Sequence, residues 1–338
     1  TWGVRCGGTG LCRAAEHACA AYIASRADAA EVAMGVSPQM PAWDSHAAAD
    51  DALHVALRSV ERSLPDGMHL DLSANRTGGT QHALSTAIDT ASQAEWRLCA
   101  SLAARARHSS KTAAHAGAWL LATPSPELGN IMTTAEWRAA MCVWTGVDRG
   151  VGHECPCPAC GERVVDLAAH ALACMAGGSV LGRHHAVRDL LWQWCRSAKL
   201  QPELEKPGLL PDTVYRPADV FLPRYPGGGP AKIALDLAVC SPQQRRHLVA
   251  AGLVSAAAAV AYSDAKAERH ACAAACAARG IRFVPMVVET FGCWAPEAAN
   301  ALRDITRARA ARTGRVASVD LMYAHQALSA TLWRGNVQ

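Results

Sequence analysis

At 338 residues, 51% of them apolar, the chain is long enough for two or three hydrophobic cores, and a folded, soluble, multi-part protein is the starting expectation. Aromatic residues make up only 5%, ten of them Trp, and alanine is abundant, so helices should dominate and large aromatic cores should be scarce. The net charge of +4 is uneven: residues 1–150 carry 12 Lys and Arg against 14 Asp and Glu, whereas residues 151–338 carry 21 against 15. The basic second half is the better candidate for meeting phosphate. The longest apolar run, Leu248 to Tyr262, falls short of the ~18 residues a bilayer span needs, so no membrane segment is expected. The sequence begins at Thr1 with no charged-then-apolar leader and reads as a piece of something longer. Fourteen cysteines without an export signal point to reduced thiols and a metal, which argues against a disulfide framework.

In chain order, Ala14 to Arg62 reads as Ala-rich helix broken near Pro38 and Pro41, with a restart at Trp43 and Asp44. Ser63 to Gly67 reads as a turn and Asn75 to Thr80 as a loop. A helix is expected from Gln81 to about Ala106, and another from Ala135 to Trp144 with Thr134 as its cap. Cys6, Cys12 and Cys19, at helical spacing with no His partner, read as buried or idle thiols. After a dense Cys/His cluster at 153–176, a helix is expected over Arg183–Ala198. Short strands should follow at Leu200–Lys206, Val214–Leu222 and Ile233–Cys240. Helices over Gln243–Ala261 and Asp264–Ala278, a buried strand Ile281–Val288 and a helix Ala295–Arg312 complete the pattern. The order implies an α+β protein with one mixed sheet flanked by helices.

Cys157 and Cys160 are two residues apart, which lets both thiolates turn onto one ion, and Gly161 gives the backbone room to do so. His170 and Cys174, four apart, would share one face of a helix starting after Asp166. Three sulfurs and one imidazole suit Zn²⁺ in a closed structural site, although Cys155 can take the place of Cys157.

The knuckle, with Asp166 and His170-Ala171-Leu172-Ala173-Cys174, is followed by Arg183-His184-His185-Ala186-Val187-Arg188-Asp189, Arg216-Pro217-Ala218-Asp219-Val220, Ala234-Leu235-Asp236-Leu237-Ala238-Val239 and Pro285 to Gly292. This succession resembles the C-terminal region of non-LTR retrotransposon proteins, which carry a zinc knuckle and a restriction-endonuclease-like domain of the PD-(D/E)XK type. Ala116 to Leu120 is similar to the stretch after the polymerase in such proteins. The resemblance covers about two thirds of the chain. It implies a helical post-polymerase region over 1–150, a zinc knuckle over 151–177, a restriction-endonuclease-like α/β domain over 178–315 and a tail over 316–338. It also implies a DNA-nicking enzyme working in the nucleus, with element RNA as a further partner; no Tyr-x-Asp-Asp polymerase motif occurs.

The residues alone give the same region a chemical sense. Asp219 and Asp236 sit inside apolar strand-like runs, where a carboxylate is costly unless paired, and on neighbouring strands they could share Mg²⁺. Glu205 could complete the oxygen set. The family's usual lysine two residues after the second acid is replaced by Ala238, so Lys266 on the following helix is the expected substitute, ahead of Lys232. Arg183 and His184 at a helix start, and Arg303 and Arg307 within a run continued by Arg309, Arg312 and Arg315, are candidate nucleic-acid contacts that compete with plain capping and solvated-surface roles. Cys272 and Cys276, one helical turn apart, read as core thiols. A non-enzymatic nucleic-acid-binding module and a decayed element remnant are the rival readings.

Overall fold

The computed structural model describes residues 2–11, 14–36, 51–64, 80–147, 154–164, 167–176, 178–210 and 216–337. The helix break near Pro38 to Asp44, most of the turn and loop expected between Pro65 and Gly79, and Asp166 lie outside the described residues. The protein is mixed α+β, mostly helical, with a two-stranded and a four-stranded sheet. It divides into two compact units, residues 1–100 and 101–338, where the sequence reading drew its first boundary at 150.

The first unit holds α1 (Ala14–Val36), α2 (Asp51–Glu61) and α3 (Thr80–Cys99), with α1 packed on both partners. Ala20, Ile23, Leu53, Ala56, Val60, Leu84 and Ile88 form its core, the small alanines allowing close helix approach. Asp89 on α3 accepts a hydrogen bond from the Gly3 N–H and lies 3.5 Å from His17, tying the N-terminal turn to the bundle.

In the second unit α4 (Leu102–Lys111) starts where the Ser101 side chain accepts from the Ala104 N–H, which interrupts the helix expected to run from 81 to 106. α5 (Thr134–Thr145) opens on a full capping box of Thr133 and Glu136, so the cap is one residue earlier than expected. The knuckle comprises β1 (Cys155–Pro156), β2 (Arg163–Val164) and the short α6 (Leu167–Ala171). After α7 (Ser179–Ser197) the main sheet begins: β3 (Glu203–Leu204), β4 (Val220–Leu222), β5 (Lys232–Cys240) and β6 (Ile281–Glu289), ordered as numbered. The first two pairings are antiparallel and β5–β6 is parallel, so a helical crossover of α8 (Leu248–Leu253), α9 (Ala257–Glu268) and α10 (Cys272–Ala277) joins the last two. β6 is the edge strand, which tolerates Pro285. The sheet closes with α11 (Pro296–Thr313) and α12 (Ala317–Val337).

Side chains alternate across the sheet as the pleat requires. Val220, Leu222, Ile233, Leu235, Leu237, Val284, Met286 and Val288 join α7, α11 and α12 in the larger core. Phe221, Ala234 and Phe283 join Cys272 and Cys276 of α10, which are buried core thiols as the sequence led one to expect. Within the stretch 316–338, expected as a tail, residues 317–337 instead form α12, whose Ala324, Ala327, Leu328 and Leu332 lie in that larger core. Trp333 is fully buried against Trp119, Trp144 and Phe291, an aromatic cluster that composition did not lead one to expect.

Candidate metal centre and carboxylate centre

Two centres emerge, both in the second unit. In the first, β1 and β2 form a hairpin whose turn is closed by the Gly161 N–H to the Cys157 carbonyl and the Cys157 N–H to the Glu162 carbonyl, each 2.8 Å. Gly161 has φ +76, the left-handed conformation in which a side chain would be strained. Cys157, Cys160, His170 and Cys174 bring their ligand atoms within 4.8 Å of one another, and among the described residues no other such group occurs. Cys157 Sγ lies 4.0 Å from Cys174 Sγ, and Cys160 Sγ lies 3.3 Å from His170 Nε2. This group can hold a metal ion such as zinc. Cys155 is not part of it: its thiol is turned to the Val164 carbonyl across the hairpin. The helix expected to carry both His170 and Cys174 stops at Ala171, and Cys174 follows the turn at Leu172 and Ala173.

The backbone N–H groups of Cys160 and Ala159 lead in holding the Cys157 thiol down to about 6, which favours the thiolate a metal needs. Glu162 approaches His170 Nδ1 at 3.7 Å, the side of the ring away from the cluster, and so biases which nitrogen is left for an ion.

The second centre stands where β4 begins. Val220 pairs with Leu235, so the next position of the antiparallel ladder sets Asp219 opposite Asp236, and among the described residues β5 beyond it has no strand on that side. The edge groups of Leu237 are taken by side chains instead: its N–H donates to Asp219 Oδ2 at 2.6 Å, and its carbonyl lies 3.1 Å from Lys266 Nζ and 3.3 Å from His184 Nε2. Lys266, on α9, ion-pairs with Asp236 Oδ2 at 2.7 Å, and His184, on α7, reaches Asp219 Oδ2 at 3.3 Å. Three side chains, His184 from α7, Lys266 from α9 and Asp219 at the start of β4, therefore meet one backbone unit, and Asp236 of β5 joins them through Lys266. Ala238 is buried, and the exposed Lys232 stands at the far end of β5.

Burial works to raise both carboxyls. For Asp219 it is outweighed by the hydrogen bond and charge of His184, the charge of Lys266 and the Leu237 N–H, which together hold it below its usual range. For Asp236 burial prevails, reinforced by the Asp219 carboxylate and opposed by Lys266, and its carboxyl is pushed up to about 6. Two buried acids sharing few cations leave negative charge under-compensated, which is the electrostatic condition for binding a hard cation.

The remaining candidates are placed differently. Glu205 has left-handed backbone geometry at φ +44, and its N–H donates to the Asp219 carbonyl, but Arg188 and Arg216 hold its half-exposed carboxylate. Arg183 is turned inwards rather than towards a phosphate: it is 3% exposed and donates to the Leu172 carbonyl and to Asn336 Oδ1, clamping the knuckle and the end of α12 to α7. His184 belongs to the carboxylate centre and not to an outer phosphate-binding surface. Arg303 and Arg307 lie exposed on α11, held by Asn300 and Asp304, whereas Arg309 stacks on Trp194 and pairs with the fully buried Asp320. The run of arginines is thus only partly a solvated face. The role of His184 within the centre was not drawn from the sequence; its signal was the motif that places it one residue after Arg183.

A scan of the chain against protein-family models finds no match, and a search of curated proteins finds none. Among the described residues no helix is long and apolar enough to cross a membrane.

Proposed function

We propose that this chain is the C-terminal part of a non-LTR retroelement protein whose restriction-endonuclease-like domain nicks DNA, with a zinc knuckle as its structural support. The observation that carries the reading is the convergence of Asp219, Asp236 and Lys266 at the open edge of β5. Lys266 stands beside Asp236 from a helix, which supports its taking the part that Ala238 cannot. Asp219 and Asp236 would hold Mg²⁺, because their oxygens are hard, anionic and adjacent. When bound there, Mg²⁺ would supply a Lewis acid for the phosphodiester and lower the pKa of water. In hydrolysis a water oxygen forms a bond to phosphorus, one P–O ester bond breaks, and the strand is left with a hydroxyl and a phosphate end. Lys266 contributes fixed positive charge for the phosphoryl oxygens as negative charge develops. Glu205 would act through its backbone bond to Asp219 more than as an oxygen ligand.

The Cys157, Cys160, His170 and Cys174 group would hold structural Zn²⁺ in a closed four-ligand site. Arg303 and Arg307 are available to a DNA backbone, element RNA is a further partner, and work on chromosomal DNA implies the nucleus.

Nicking of supercoiled plasmid in Mg²⁺ tests the proposal. Wild type is expected to cut, and Asp219→Asn, Asp236→Asn and Lys266→Met to lose at least about 100-fold, the scale for removing a group that stabilises transition-state charge. Equal cleavage by all four proteins ends the enzymatic reading. Salt-sensitive DNA binding by a wild type that never cuts would favour the binding-module reading instead.

A further inference from the structure

His184 Nε2 lies 3.3 Å from two oxygens, the Leu237 carbonyl and Asp219 Oδ2. Both are acceptors, so Nε2 carries the hydrogen, whatever the state of Nδ1. Nδ1 is buried and has no hydrogen-bond partner, so the ring does its polar work on the Asp219 side alone. The ring is aimed by its neighbour in sequence, because Arg183 anchors the start of α7 to the Leu172 carbonyl and to Asn336. Asp219 Oδ2 therefore meets two donors, the Leu237 N–H at 2.6 Å and His184 Nε2–H. Oδ1 is left for other partners, and the strand ladder sets Asp236 opposite Asp219. On the far side of the centre Lys266 donates to the Leu237 carbonyl and ion-pairs with Asp236 Oδ2.

Resting on the nuclease reading above, we infer that His184 is a positioning residue: by fixing Asp219 Oδ2 against Leu237, it presents Oδ1 alone to the divalent cation shared with Asp236. Without it the Asp219 carboxylate keeps one donor and turns more freely, and the ordering must come from the ion's own binding energy. Outer-shell partners of this kind change metal affinity by about 10–100-fold when removed. Gln at this position can return an amide donor at a similar reach, and Ala cannot.

The test uses the zinc-loaded full chain and its His184→Ala, His184→Gln and Asp219→Asn variants, titrated calorimetrically with Mn²⁺ and assayed for Mg²⁺-dependent plasmid nicking. Wild type and His184→Gln should bind Mn²⁺ alike, His184→Ala at least about 10-fold more weakly, and Asp219→Asn without detectable binding at the centre. In nicking, His184→Ala should raise the half-saturating Mg²⁺ concentration by a similar factor and keep kcat near wild type at saturation. Unchanged Mn²⁺ affinity in His184→Ala, or equal weakening in Ala and Gln, overturns the inference while leaving nicking by wild type to stand. The expected Mn²⁺ pattern without any nicking by wild type supports the positioning role and overturns the nuclease reading. Mn²⁺ binding by Asp219→Asn equal to wild type overturns both.

Discussion

Lys111 ends α4 only 8% exposed, with Nζ donating to the Trp144 carbonyl at 2.8 Å and lying over the Trp144 ring. Burial first, and the Arg107 charge second, push its pKa down to about 7. Because the folded value lies below the unfolded one, the unfolded chain binds more protons between about pH 7 and the ordinary lysine range, so this residue makes stability rise with pH across that window. Lys111→Met removes the titration. Urea midpoints at pH 7 and pH 10 should show the wild type gaining on the variant as pH rises, and a constant difference between the two would refute the buried-amine account. A lysine in a helix-rich text gives no hint of this, since the Trp144 carbonyl that receives it comes from a segment 33 residues away. Asp236 was legible because a carboxylate inside an apolar strand is itself a signal; Asp219, expected within a strand, stands just before β4, and His184 needed the third dimension to show which oxygens it meets.

At the scale of elements, strand positions were readable and helix breaks were not. The expected strand at 233–240 appears as Lys232–Cys240, because a run buried on both faces must be apolar throughout. Among the described residues, the expected strands at 200–206 and 214–222 appear only as Glu203–Leu204 and Val220–Leu222, since pairing partners and not propensity set their length. The single helix expected over 243–261 is split by Ala256 at φ +63, where Glu289 from the end of β6 accepts the Ala259 N–H and caps the new helix. The capping box of α5 is separately testable: Thr133→Ala should cost about 1 kcal/mol of stability by denaturant unfolding. The knuckle has little apolar content of its own before Val164, so it depends on its ligands. Chelation should raise hydrogen exchange across 155–174 while β5 and β6 stay protected; equal exchange before and after chelation would show that no metal organises this segment.

The whole molecule is two compact units, and the second is completed only by its last helix. α12 supplies Leu328, Leu332 and Trp333 to the second unit's cores, and its Asp320, fully buried, accepts from Arg309. A chain ending at Val316 should lose cooperative thermal unfolding of the second unit, because it exposes an apolar face and strands Arg309 beside Trp194. A melting transition and near-UV signal unchanged from wild type would show α12 to be dispensable. The same helix carries His325, stacked at 4.0 Å on His115 and pushed down to about 3, chiefly by burial.

The sequence by itself determined the local facts: which segments alternate or run apolar, where four soft ligands can close on one ion, and which acids are too costly to leave unpaired. Those follow from residue type and spacing within a few turns of chain. Tertiary structure decided the rest: that Asp219 stands opposite Asp236, that Lys266 from α9 and His184 from α7 meet at Leu237, and that Arg183 faces inwards. It also made residues 317–337 a core helix. Each of these depends on strand register or on packing between segments far apart in sequence, and a side chain's neighbours across such distances are fixed only when the whole chain has folded.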